Sequence, residues 1–109
     1  MVNQALHLFK AEFFKALSHP MRVYILELLR DGERSVSELQ EHLQVESSSV
    51  SQQLAVLRAK HLVDVRKQGT SVFYSLRDPA IGALLDSARQ IFNNQLVDTK
   101  TLLESIQEP

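Results

Sequence analysis

The stretch VESSSVSQQLAVL, residues 45–57, restricts the possible fold more than any other part of the chain. Apolar residues recur at Val50, Leu54 and Leu57, the i, i+4, i+7 spacing of one buried helix face. Over that face lie Ser47, Ser48, Ser49, Ser51, Gln52 and Gln53, and the only charge is Glu46 at the start. Solvated helix faces usually carry Glu and Lys, which are better helix formers than Ser. A surface of hydroxyls and amides points to recognition, because stability alone does not call for it.

The flanking segments give this helix a context. SVSELQEHL predicts a short helix with a capping-box start, at Ser35 with Glu38 or at Ser37 with Gln40. QVES is the turn, Ser47 is the expected cap, and the serine-rich helix runs to about Lys60. Two short helices joined by a tight turn, the second polar outside, form a helix-turn-helix. Two β-rich runs follow, LVDVRKQ and TSVFYSL, with Gln68-Gly69 as the tip of a hairpin. A hairpin directly after the second helix makes a winged version. In such a motif the outer N-terminal face of the second helix lies in the DNA major groove. Serine donates to and accepts from bases or phosphates there, and glutamine bonds adenine through two atoms. Phosphate would repel a carboxylate, and none occurs between Glu46 and Asp64.

Upstream, Leu6, Phe9, Phe13 and Leu17 trace a helical stripe over Asn3–Leu17, widened by Leu8 and Phe14. SHP breaks it; Ser18 is the expected cap of the next helix and Pro20 fits its first turn. That helix should bury Met21, Ile25, Leu28 and Leu29 and end at Gly32. Downstream, Asp78 caps a last helix and Pro79 takes its first position, with apolar residues from Ile81 to Ile106 and a break near Asp98-Thr99. The first and last helices carry more apolar surface than so small a core can cover, so they are expected to pair across a homodimer. Gly82 costs about 1 kcal/mol relative to Ala inside a helix. A close helix crossing at that interface and tolerated drift explain it equally well. The expected architecture is mainly α with a small β-hairpin, a winged helix-turn-helix in the order α-α-α-α-β-β-α. It forms one domain over residues 1–109, with the helix-turn-helix at 37–60, the wing at 62–76 and the dimerisation helix at 78–106.

Composition narrows the function. The chain has no cysteine, which rules out disulfides and thiolate metal sites. It has no apolar run near the roughly 20 residues of a membrane span. MVNQALHLFK has neither the basic start nor the apolar centre of a secretory signal, so a cytoplasmic protein with no membrane partner is expected. A formal net charge of −1 argues mildly against nucleic acid. Its distribution argues the other way: Arg58, Lys60, Arg66, Lys67 and Arg77 face only Asp64 within residues 47–77. Ser-His-Asp pairing, a glycine-rich phosphate loop and a His-Glu-x-x-His run are all missing, so neither catalysis nor a cofactor is expected.

FKALSHPMRVYILELL, SVSELQEHL, SSSVSQQLAVLRAKHLV and RKQGTSVFYSL, taken in order, resemble successive blocks of the ArsR/SmtB family of bacterial winged-helix repressors. The resemblance covers about Phe14 to Leu85. It implies a homodimer that binds double-stranded DNA at an inverted-repeat operator and represses a neighbouring gene. It implies Ser47, Ser48, Ser51 and Gln52 on the groove face, with Ser49 and Gln53 at its flanks, Gln53 alternatively supporting the turn. Arg66, Lys67, Gln68 and Thr70 would lie on the wing near phosphate or minor groove, and Arg58 from the same basic cluster completes the candidate DNA-binding set.

Many members of that family release DNA on binding metal, but this chain departs from their ligand patterns. Where the thiolate type has Cys-x-Cys on the third helix, Gln40 and His42 stand here. Of the zinc-type ligands on the last helix only Asp78 is matched; the others fall on Ala80, Ile91 and Asn94. The expected regulator therefore has neither site, and its inducer is unknown. Two alternatives remain: a winged-helix module that docks a protein, and a metal-responsive repressor with an unorthodox site of His7 or His42 beside Glu12 or Glu41.

Overall fold

One aliphatic core holds a short sheet and four helices, and a fifth helix runs out of it. The computed structural model describes residues 3–107. The order is α1 (Gln4–Ala16), α2 (Pro20–Arg30), β1 (Arg34–Ser35), α3 (Val36–Leu43), α4 (Ser47–Ala59), β2 (Val63–Gln68), β3 (Ser71–Leu76) and α5 (Pro79–Gln107). Ile25 and Leu26 of α2, Leu39 of α3, and Val50, Leu54 and Leu57 of α4 are completely buried together. Each such aliphatic side chain contributes about 1.5–3 kcal/mol relative to exposure. Leu26 belongs to this set although the sequence pattern missed it; Met21 and Leu28 pack around its edge.

The helix starts follow local rules, with two corrections. Asn3 caps α1, its side chain accepting from the Leu6 amide. His19, not Ser18, caps α2: its Nδ1 accepts from the Met21 amide at 3.1 Å. Proline at the first helical position holds the residue before it extended, which makes that residue the cap. Ser18 instead closes α1, its hydroxyl donating to the Lys15 carbonyl at 2.6 Å. Of the two capping boxes read from the sequence, Ser35 with Glu38 is the one that forms, with both reciprocal bonds made. At α4 the cap is Glu46, without a side-chain bond, and Ser47 is already inside the helix.

The sheet order is β1-β3-β2, all antiparallel. β1 was not foreseen, since a two-residue strand leaves no alternating pattern; Arg34 pairs with Tyr74 and Ser35 with Phe73. β2 and β3 pair from Val63 with Leu76 to Gln68 with Ser71. The hairpin tip is therefore Gly69-Thr70, one residue beyond the expected position, with Gly69 at φ +61°.

α5 continues without a break at Asp98-Thr99. Asp78 supports its start, Oδ1 accepting from the Ala80 amide at 2.9 Å. Gly82 is buried, and a Cβ there would lie 3.2 Å from Arg30 Cγ, so the close crossing is with α2 of the same subunit. The exposed part of the fold is unusually apolar. Leu8 and Phe9 of α1, and Ile91, Phe92, Leu96, Val97, Leu102, Leu103 and Ile106 of α5, are each more than half exposed. The radius of gyration is 17.7 Å, against about 13 Å for a compact domain of this length. The excess reflects helices that project from the core.

Candidate nucleic-acid interface

α3 and α4 are joined by a turn that two features fix. Gln44 adopts the left-handed conformation (φ 57°, ψ 41°), its amide closing α3 on the Gln40 carbonyl and its side chain donating to the Glu41 carbonyl at 2.6 Å. Val45 then packs against the core, so α4 leaves in a set direction.

The burial of Val50, Leu54 and Leu57 decides which way the polar residues point. Ser48, Gln52 and Ala55 form the crest opposite that face, and all three are exposed. Ser47, Ser51 and Arg58, also exposed, lie on the flank towards the wing, where Ser51, Ala55 and Arg58 form one cleft with Tyr74 of β3. Ser49 and Gln53 are half-buried on the other flank. There Gln53 Oε1 accepts from Arg22 Nη1 at 2.9 Å, the turn-supporting alternative of the sequence reading. Because Glu46 caps α4 only through its backbone, no serine hydroxyl of this ridge is spent on capping.

The wing residues divide between the two faces of the sheet. Val63 and Val65 face the core, and Lys67 continues their row. Arg66 and Gln68 lie on the opposite face. There Arg66 donates from Nε and Nη2 to the Glu33 carboxylate at 3.0 and 2.6 Å, and from Nη1 to Gln68 Oε1 at 2.7 Å. Its guanidinium carbon sits 4.7 Å from the centre of the Phe73 ring. The hydrogen bond from Arg66 holds the Glu33 carboxyl below the usual carboxylate range. Lys60 is also occupied, pairing with Glu12 at 3.4 Å. Among the described residues Arg58 and Lys67 form no ion pair, and Thr70 is exposed at the tip. Ala55, Glu33 and Tyr74 join this surface without having been singled out. Exposed Ala55 in the ridge could have been found from the helical period alone.

No three His, Asp or Glu side chains among the described residues converge as a metal site would need. Among the described residues, no helix is long and apolar enough to cross a membrane.

A short helix, a tight turn, a polar-faced helix and a β-hairpin beside it define a winged helix-turn-helix regulator. The family model for the bacterial regulatory proteins of the arsR family matches residues 19–65. The HTH-type transcriptional regulator Rv0081 of Mycobacterium tuberculosis is 44% identical over 97% of this chain and 94% of its own length. The chain belongs to the ArsR family of transcriptional regulators, whose work is the control of transcription and not catalysis. The biofilm growth-associated repressor of Agrobacterium fabrum is 37% identical over 75% of this chain and 70% of its own. The crystal structure of Rv0081 superposes with a TM-score of 0.80 at 46% identity, covering 86% of this chain and 95% of that one. The solution structure of the homodimeric winged helix-turn-helix DNA-binding domain Mb0332 from Mycobacterium bovis gives 0.78 at 27% identity, covering 88% and 94%.

Proposed function

We propose that the protein is a cytoplasmic homodimeric repressor that reads an inverted-repeat operator and controls a neighbouring gene. The observation that carries this reading is the α4 ridge: Ser47, Ser48, Ser51 and Gln52 exposed above three completely buried aliphatic residues. α4 enters the major groove with this ridge, assisted by Ser49 and Gln53 at its edge. Arg58, Arg66, Lys67, Gln68 and Thr70 meet the backbone or the minor groove. The apolar faces of α1 and α5 support dimerisation, because one subunit leaves them in water, where large exposed apolar patches mark an interaction surface. Two α4 helices related by a twofold axis read half-sites about 34 Å apart. The absence of cysteine means that the inducing signal does not act through a thiolate.

A gel-shift titration tests the reading. A duplex selected by the protein from its source genome should bind orders of magnitude more tightly than random DNA of equal length at physiological salt. Equal affinity for the two would overturn it.

A further inference from the structure

On the wing, three polar side chains are connected in series. Glu33, in the turn before β1, takes two hydrogen bonds from Arg66 of β2, and Arg66 gives a third to Gln68 at the hairpin end. Phe73 lies under the guanidinium, so its plane is held from below as well as from the side. A guanidinium has donors only, so the atom of the Gln68 amide that faces it must be the oxygen. The amide NH2 of Gln68 is then the end left for another partner, beside the Gly69-Thr70 tip.

We propose that Glu33 is a positioning residue for DNA recognition: through Arg66 it orients Gln68 so that the amide NH2 of Gln68, a hydrogen-bond donor, faces DNA. Adenine N3, thymine O2 and the phosphate oxygens are all acceptors, which is the chemistry such a group fits. The inference rests on the reading that the wing meets DNA. Glu33 has two opposed effects on that encounter. Its charge repels phosphate and neutralises Arg66, so on electrostatics alone its removal would tighten binding. Its hold on Arg66 keeps Gln68 oriented, so on positioning its removal loosens binding. The two accounts differ in sign.

The test uses the full-length chain and a duplex it has selected from a random library. Glu33→Gln and Gln68→Ala should each lower affinity by about 2- to 10-fold, the size of one hydrogen bond. The double variant should bind no more weakly than Gln68→Ala alone, because both changes remove the same contact. Arg66→Lys keeps the charge but lacks the planar fork, and should show the same loss as Glu33→Gln. Thermal unfolding of Glu33→Gln should match the wild type, since exposed ion pairs add little stability. Binding by Glu33→Gln that equals or exceeds the wild type, or losses that add in the double variant, would overturn the proposal. If Gln68→Ala itself binds like the wild type, the wing contact fails and the relay falls with it. A loss shared by random duplexes identifies the acceptor as phosphate; a loss confined to the selected duplex identifies it as a base edge.

Discussion

Arg22 of α2 donates to Gln53 Oε1 on α4 at 2.9 Å while its other nitrogens hold the carbonyls of Ala16 and Lys15 at 2.6 and 3.4 Å. One side chain thereby ties the end of α1 to the middle of α4. It also divides the work of two adjacent glutamines. Gln53 has its oxygen engaged by Arg22 and its side chain held on the flank of α4. Gln52 is exposed, and among the described residues its amide has no partner, so it keeps the donor and acceptor that a two-bonded adenine contact needs.

Replacing these two should give different signatures. Gln52→Ala is expected to cost about 1–3 kcal/mol at the selected site and to relax the preference at one base position. Gln53→Ala should weaken binding alike on every sequence and remove about 0.5–1.5 kcal/mol of stability with the Arg22 bond. Gel shifts on a panel of single-base operator variants, together with thermal melts, separate the two.

Lys67, unlike its neighbour Arg66 on the wing, forms no ion pair among the described residues. Lys67→Ala should weaken binding to selected and random DNA together. It should also make the slope of log affinity against log salt shallower by roughly 0.9, the value for one phosphate contact. The same titration tests the protein-docking alternative, since an apolar docking surface responds little to salt.

The serine that caps a helix is not one of those proposed to meet DNA. Ser35→Ala breaks a complete capping box and should cost about 1 kcal/mol of stability. Ser47→Ala, inside the first turn of α4 and making no cap bond, should leave the unfolding temperature nearly unchanged while reducing affinity for the selected duplex. Calorimetry and a binding isotherm on both variants check the contrast.

Leu96 and Leu103 are 68% and 54% exposed on α5. If that face pairs with a second copy, Leu96→Glu together with Leu103→Glu should weaken self-association by about 2 kcal/mol or more, as for buried interface anchors. Sedimentation equilibrium would show monomer at concentrations where the wild type is dimeric, and operator affinity would fall with it.

The sequence made the helices and the hairpin legible because periodicity and caps are local. Val50, Leu54 and Leu57 announced both α4 and the direction of its polar face. Pro20 and Pro79 marked two helix starts within a residue. What was not legible depended on tertiary partners. β1 exists because Arg34 and Ser35 meet Tyr74 and Phe73, a pairing between segments distant in the chain. Gly82 is explained by Arg30 on another helix, and nothing near residue 82 reveals that. Arg66 read as a free cation on the basic stretch, whereas Glu33, 33 positions earlier, already engages it.

The uninterrupted α5 is about 43 Å from end to end at the standard rise per residue. Its first turns are wedged against Arg30 at Gly82, close to the core that carries α4. Such a rod is a lever with a short arm beside α4 and a long arm at the far end. A tilt of roughly 5° at the wedge sweeps the distant tip through some 3 Å, given that length. In a twofold assembly joined along this rod, a change of tilt at the wedge would change the distance between the two α4 helices.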